Sequence, residues 1–394
     1  MAADRDTVIT GIGLISCLGE GPDATWAALD APAGFQPVVD ASRFAPWSVH
    51  PMVPLEWERQ IPRREQRQME PWQRIGVYAA GLALDAAGVK GNAALLEHMD
   101  MIVAAGGGER DYAADEAIIA ALRDAPNPGA LLNERLQSDL RPTLFLAQLS
   151  NLLAGNISLV HGVVGSSRTF MGEEAAGTDA VRTACARIAS GQGELFLIGG
   201  SYNAERPDTL LILAAGGFLR RAPFAPVWER LATGGGAVLG SVGCFLVIES
   251  RAHAASRGAI PIARIAAVAT DRCQRCPGQA TAVAERQLAA LPPLDRPGAA
   301  VISAAGGATA PAAEEAAFLR MLGLPVRAAA TAFGHSMESA FPAALALAAM
   351  CIARRRLFSP LEAAEAPMPA VLRQVLVTCW GQWRGEAMAL VDEA

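Results

Sequence analysis

Charge is sparse in this chain. Only 18% of its 394 residues are Asp, Glu, Lys or Arg, and they sum to a formal charge of −6. No long basic run accompanies that balance, which argues against nucleic acid and an anionic membrane surface as partners. No uninterrupted apolar stretch of about 20 residues occurs, so no membrane-spanning helix is expected. The opening MAADRDTVIT is charged and turns at once into a strand-like run, without the apolar core of a signal peptide. Seven cysteines make an odd number without framework spacing, which fits reduced thiols and a cytoplasmic location. Metal-ligand patterns are missing too. The five histidines are scattered, and Cys273-Gln-Arg-Cys276 has no second CxxC to complete a zinc set. With Pro277-Gly278 behind it, that pair reads as a turn carrying two thiols. No metal and no cofactor are expected. Against these absences stands an apolar fraction of 52%, enough for a large core and an oligomer interface. The length suits two ordinary domains or one large α/β unit.

Residues 165–201 organise the rest. A small-residue loop passes through Glu173 and Glu174 into an alanine-rich helix that breaks at Gly191 and Gly193. An apolar strand over 194–198 follows, capped by Gly199-Gly200. A loop that feeds a side chain into the N-terminus of a buried helix presents it to unpaired N–H groups and the positive end of the helix dipole. Nucleophile elbows are built this way.

The remaining chain alternates strands and helices. Residues 7–15 read as a strand, 23–29 as a short helix, and 32–67, rich in Pro, Trp and Arg, as an irregular cap. A helix is expected over 72–87, a strand over 101–105 and helices near 112–123 and 143–153, with a strand over 157–164 entering the central loop. Beyond residue 242 the expected order is strand 260–270, helix 281–291, strand 299–304, helix 312–322, strand 326–330, helix 338–356 and strands 375–380 and 386–391. The second part echoes the first, with loop, Glu174 and helix in one and loop, His335 and helix in the other. That internal repeat predicts an α/β protein with five layers, α/β/α/β/α. Its halves would be 1–242, with cap insertions at about 32–67 and 108–145, and 243–394.

Several passages resemble the β-ketoacyl-acyl-carrier-protein synthases, condensing enzymes of the thiolase fold. They are the opening VITGIGLISCLGEGPDATWAAL, the Ala176-Gly177-Thr178 motif tail, the segment 234–258 (with Ser241 at its usual glutamate) and Phe333-Gly334-His335. Thr183-Ala184-Cys185-Ala186 spells the family's active-site tetrapeptide, but the spacing disagrees. Glu174 lies 25 residues before Gly199, the family interval from cysteine to glycine pair, whereas Cys185 lies 14 before it, about three turns inside the helix. The resemblance therefore puts Glu174 at the nucleophile position, with Glu173 beside it.

Such enzymes need a thiolate to carry the acyl chain, two imidazoles to stabilise the enolate, and a lysine that orders the second imidazole. The resemblance puts Ala305 at the first histidine and Ala330 at the lysine, and retains only His335. Glu338, within one turn of His335, can pair with it. Thr309, Phe333, Trp380 and Trp383 fall in the motifs expected to line the substrate path. Glu174 is expected to plug the acyl site and satisfy helix-terminal donors; the alternative is a base with a raised pKa. This pattern resembles the chain-length-factor subunits of type II polyketide and aryl-polyene systems. Such subunits lack the cysteine and pair with an active synthase that works on acyl carrier protein. Left open are an acyl-thioester hydrolase, transferase or decarboxylase using Glu174 and His335, and a non-catalytic homodimer that binds acyl carrier protein. The fold implies a dimer, homomeric or with an active ketosynthase, made by pairing the strand before the active-site loop, expected at 157–164, across a twofold axis.

Overall fold

The computed structural model describes residues 3–141, 144–145 and 148–394. Its frame is two sets of five strands. The first holds β1 (Thr7–Ser16), β2 (Asp100–Ala104), β3 (Ser167–Phe170), β4 (Leu195–Tyr202) and β5 (Val242–Ser250). The second holds β6 (Ala263–Asp271), β7 (Ala299–Ser303), β8 (Val326–Ala328), β9 (Gln374–Trp380) and β10 (Glu386–Asp392). They hydrogen-bond in the order β8-β7-β9-β10-β6-β1-β5-β4-β2-β3. Each set thus runs third, second, fourth, fifth, first. In each set the fifth strand is antiparallel to both neighbours, while the second is parallel to the third and fourth. The sets join where Thr7–Ile9 pairs with Ala263–Ile265. The expected repeat is present as topology.

Helices complete the layers. α2 (Pro71–Ala86) lies on β1, β4 and β5, with α3 (Leu152–His161) beside it; α1 (Gly21–Leu29) packs at the end of β1. The strand GIG sequence has a steric cause. A Cβ on Gly13 would stand 1.9 Å from the Ala79 carbonyl oxygen, so α2 rests on β1 at backbone distance. α4 (Glu174–Ser190) and α9 (Ala340–Ala353) touch strands of both sets and form the shared middle layer, while α6 (Gln279–Ala290) and α7 (Thr309–Leu322) cover the far side of the second set. The short helix α5 (Val227–Ala232) contacts α7, and the short helix α8 (Ala329–Phe333) leads into α9. α4 ends at Gly191 in the left-handed region (φ 71°), as its glycine foretold. Among the described residues no helix is long and apolar enough to cross a membrane.

Several expectations need correction. Residues 157–164 are not a strand. Leu153, Ala154, Ile157 and His161 are buried at helical spacing in α3, which Gly162 stops with φ 75°. The strand before the central loop is β3, ten residues later. The expected helix 143–153 begins at residue 143, outside the described residues, as are 142, 146 and 147. Gly199 and Gly200 do not cap β4 but lie within it. The strand expected to reach residue 330 stops at Ala328, where a run of alanines turns into the one-turn helix α8. A 3-10 turn, Met337–Ser339, precedes α9. β5, which completes the first set, runs from Val242 to Ser250. Within 108–145, a helix over Pro128–Ser138 was not expected; Pro128 at its first turn and the Asn127 cap start it.

Candidate functional site

The starts of the two middle-layer segments face each other. A Cβ on Gly177 would come within 2.4 Å of the Glu338 carbonyl oxygen, so the first turn of α4 meets the 337–339 turn at backbone contact. His335 is fixed from behind: its N–H donates to the Val238 carbonyl (2.8 Å), and its carbonyl accepts from Gly240 N–H (3.0 Å). Glu174, first residue of α4, and His335 are both buried, with His335 Nε2 2.9 Å from Glu174 Oε1. The ring N–H is not aligned with that oxygen, and among the described residues neither ring nitrogen has an aligned hydrogen-bond partner. Burial alone would push the Glu174 carboxyl up, but the His335 ring outweighs burial and holds it below the ordinary carboxylate value. Gln382 N–H adds a long hydrogen bond, 3.4 Å, to the same oxygen.

That amide comes from a turn closed by Gly381 N–H to the Gly385 carbonyl (2.8 Å). Arg275 donates to the Gly381 carbonyl and pairs with Glu386. Arg275 sits between Cys273 and Cys276, so the CxxC loop anchors this turn. No group of His, Cys, Asp and Glu among the described residues is placed to hold a metal.

The space around the ion pair is nearly filled. Bounded by Glu174, Ala305, Glu315, His335 and Trp380, among others, it measures about 10 Å³. Phe218 covers His335 at 5.6 Å between ring centroids, and Trp383 stacks on Phe218 at 5.7 Å with 48% of its surface exposed. Ala305 and Ala330 meet in one apolar cluster with Val227 and Ala328, backed by Trp228. The sequence contains a single lysine, Lys90, paired with Asp85 at 2.9 Å, so no ammonium replaces what Ala330 lacks. Trp380 joins the site. Thr309 does not: it is exposed at the start of α7, and Phe333 is a core side chain.

Glu338 faces a separate cleft of about 250 Å³ that it shares with Trp72, Glu173, Tyr202, Arg206 and Trp383. Burial, reinforced by the charges of Glu174 and Glu173, pushes its carboxyl up to about 8. Cys185 lies eleven residues along α4 from Glu174, about 16 Å away. It is partly buried, and desolvation raises its thiol to about 12.

Glu315 was not anticipated. Its Oε1 accepts from Thr378 (2.6 Å) and Ser303 (2.8 Å). Its Oε2 has no partner among the described residues, and burial pushes the group up to about 7. A signal existed: Glu315 shares a helical face with Ala312, Ala316, Leu319 and Leu322, whereas neighbouring Glu314 does not. Phe218 and Gln382 carried no comparable signal.

Chemically, the site offers a buried carboxylate–imidazole pair and a second buried carboxyl group that titrates near neutrality, with no thiol among the lining residues and no room beside them.

A family model described as "Beta-ketoacyl synthase, N-terminal domain" matches residues 4–254. The chain is 27% identical over 272 residues to nodulation protein E of Rhizobium leguminosarum bv. trifolii, covering 67% of this chain and 63% of that protein. It is 27% identical over 272 residues to the tetracenomycin polyketide synthase ketoacyl synthase beta subunit of Streptomyces glaucescens, covering 66% and 62% respectively. The match thus spans less than two thirds of either relative's length. The solved structure of the ishigamide ketosynthase/chain length factor superposes with a TM-score of 0.75 over 100% of both chains at 19% identity. The fold is the thiolase-like ketosynthase fold, and by the match over residues 4–254 this chain belongs to the β-ketoacyl synthase family.

Proposed function

We propose that this chain is a catalytically degenerate β-ketoacyl synthase homologue. It would act as the chain-length-factor-type partner of an active ketosynthase in type II fatty acid or polyketide synthesis on acyl carrier protein. The observation that carries this reading is the filled space of about 10 Å³ at the Glu174–His335 pair. An acyl thioester has no place to bind there, and a carboxylate cannot serve as a reversible acyl carrier because the mixed anhydride would hydrolyse. The apolar cluster of Ala305 and Ala330, where the resemblance calls for histidine and lysine, supports the same reading. Glu174 is then a plug, charged and paired with His335. A hydrolase or decarboxylase using these two residues is the alternative; it requires the plug to move.

Co-expression with a cysteine-bearing homologue tests the proposal. The two chains are expected to co-purify and to make product together. The lone chain should show neither turnover of acyl thioesters nor an acyl adduct by intact-mass spectrometry. A stable adduct on Cys185, or turnover by the lone chain that Glu174→Gln abolishes, would defeat it.

A further inference from the structure

On the far side of the second set of strands, α5, α7, β8 and residues 364–366 enclose a pocket of about 620 Å³. It shares no lining residue with the Glu174–His335 space. Its walls are Trp228, Leu231, Leu319, Leu324, Pro325 and Val326. The hollow persists because the positions that would close it carry Ala232, Ala316, Gly323 and Ala364. Pockets of roughly 300–1,000 Å³ with apolar walls and few polar groups are characteristic of small-molecule sites.

Two charged residues border it, and they differ. Glu365 is fully engaged: Oε1 accepts from Ala328 N–H and Oε2 from Leu361 N–H, each at 2.8 Å, with Arg327 Nε 3.7 Å away. Arg320 is exposed on the last turn of α7, and its guanidinium makes no hydrogen bond or ion pair among the described residues. One free guanidinium at the mouth of an apolar pocket complements a molecule with an apolar body and a single anionic head. We propose that this pocket binds a medium-chain carboxylate, its chain against Trp228 and Leu319 and its head on Arg320. A carboxylate fits better than a dianionic phosphate, because one cation compensates one charge in a chain whose formal balance is already −6. The proposal is independent of what the Glu174–His335 site does.

The probe is dodecanoate below its micelle concentration, followed by calorimetry, with 12-bromododecanoate as a heavy-atom quencher of tryptophan fluorescence. Dodecanoate should bind, and dodecyltrimethylammonium, with the same chain and the opposite head, should not compete. Arg320→Glu should weaken binding at least tenfold; its exposed position keeps the fold intact. Ala316→Trp should abolish binding, with its circular dichroism compared to the unmodified chain, and Trp228→Phe should remove most of the bromo-quenching. The proposal fails if dodecanoate does not bind. It fails equally if binding is unchanged by Arg320→Glu, or if quenching persists in Trp228→Phe, which would place the chain elsewhere, such as at Trp383.

Discussion

β3 and β8 hold equivalent places, third in sequence and outermost in space in their own sets, yet their free edges are finished differently. The outer side of β8 is covered by its own chain. Glu365 accepts from Ala328 N–H, and Arg327 donates to the carbonyls of Phe358 (2.9 Å) and Ala366 (2.9 Å). Among the described residues β3 has no such cover. The carbonyls of Ser166 and Phe170 accept from Met101 and Ala105, so by alternation Ser167 and Thr169 face outward. Around that open edge stand Leu159, Val164 and Met171, exposed by 64%, 58% and 73%. An uncovered strand rimmed by apolar side chains is a surface that another strand can complete. The two halves share a topology, but among the described residues only the second covers its outer strand.

Thr169→Pro strikes hardest at that difference. The unmodified chain should be a dimer at micromolar concentration by light scattering, with twice the 41.0 kDa mass of one chain. The proline removes an outward donor without touching the β2 pairing and should yield a folded monomer. A well-folded monomer of the unmodified chain would show that the open edge is no interface. At the sealed edge, Glu365→Ala leaves Arg327 buried without its carboxylate and frees two N–H groups. A loss of about 3–5 kcal/mol in denaturant unfolding is expected, with no change of mass.

The halves also differ in what they bring to the middle layer, a carboxylate from the first and an imidazole from the second. Glu174→Gln should cost about 1–3 kcal/mol at pH 7, where a charged partner is lost. Because the folded pKa of Glu174 is lowered, this contribution is present above the unfolded carboxyl value of 4.5 and disappears as pH falls below it. Unfolding curves of the two proteins should therefore converge in acid. The last test concerns Glu338, whose folded pKa is raised to about 8. The native state then holds a proton that the unfolded state has released, so stability declines as pH climbs from 4.5 towards 8. Glu338→Gln should flatten that decline and be nearly neutral near pH 4.5. A pH profile parallel to that of the unmodified chain would mean Glu338 is ionised in the fold.

Much of this was legible in the order of residues. Alternating strands and helices announced the repeat, and the helix starts after Glu173 and after His335 placed the carboxyl and the imidazole where they meet. Failures came where local chemistry and tertiary context disagree. β3 is polar and half exposed, SRTF, so no hydrophobic alternation marks it, while the β-branched Ile157 and Val160 belong to a helix whose buried face is set by packing. Glu314 and Glu315 look alike in sequence, yet the first caps α6 through Thr281 and the second is sealed inside. Trp380 and Trp383, three apart, end on opposite sides of the tight 381–385 turn, one buried and one half exposed. How full the site is depends on volume, which no spacing rule reports.

α9 has one further consequence. Every residue from Ala340 to Ile352 is buried, so this helix has no wet face at all. An all-apolar helix carries no amphipathic stripe to orient it and cannot be stable in water alone. It must wait until both sheets are ready to receive it. During synthesis the first half leaves the ribosome with the face of α4 that α9 will cover still bare, and it stays so until almost the whole chain has emerged. The protein therefore cannot be divided into two independently soluble pieces despite its repeat. Its two halves are one cooperative unit held together by a segment that neither half could keep dissolved on its own.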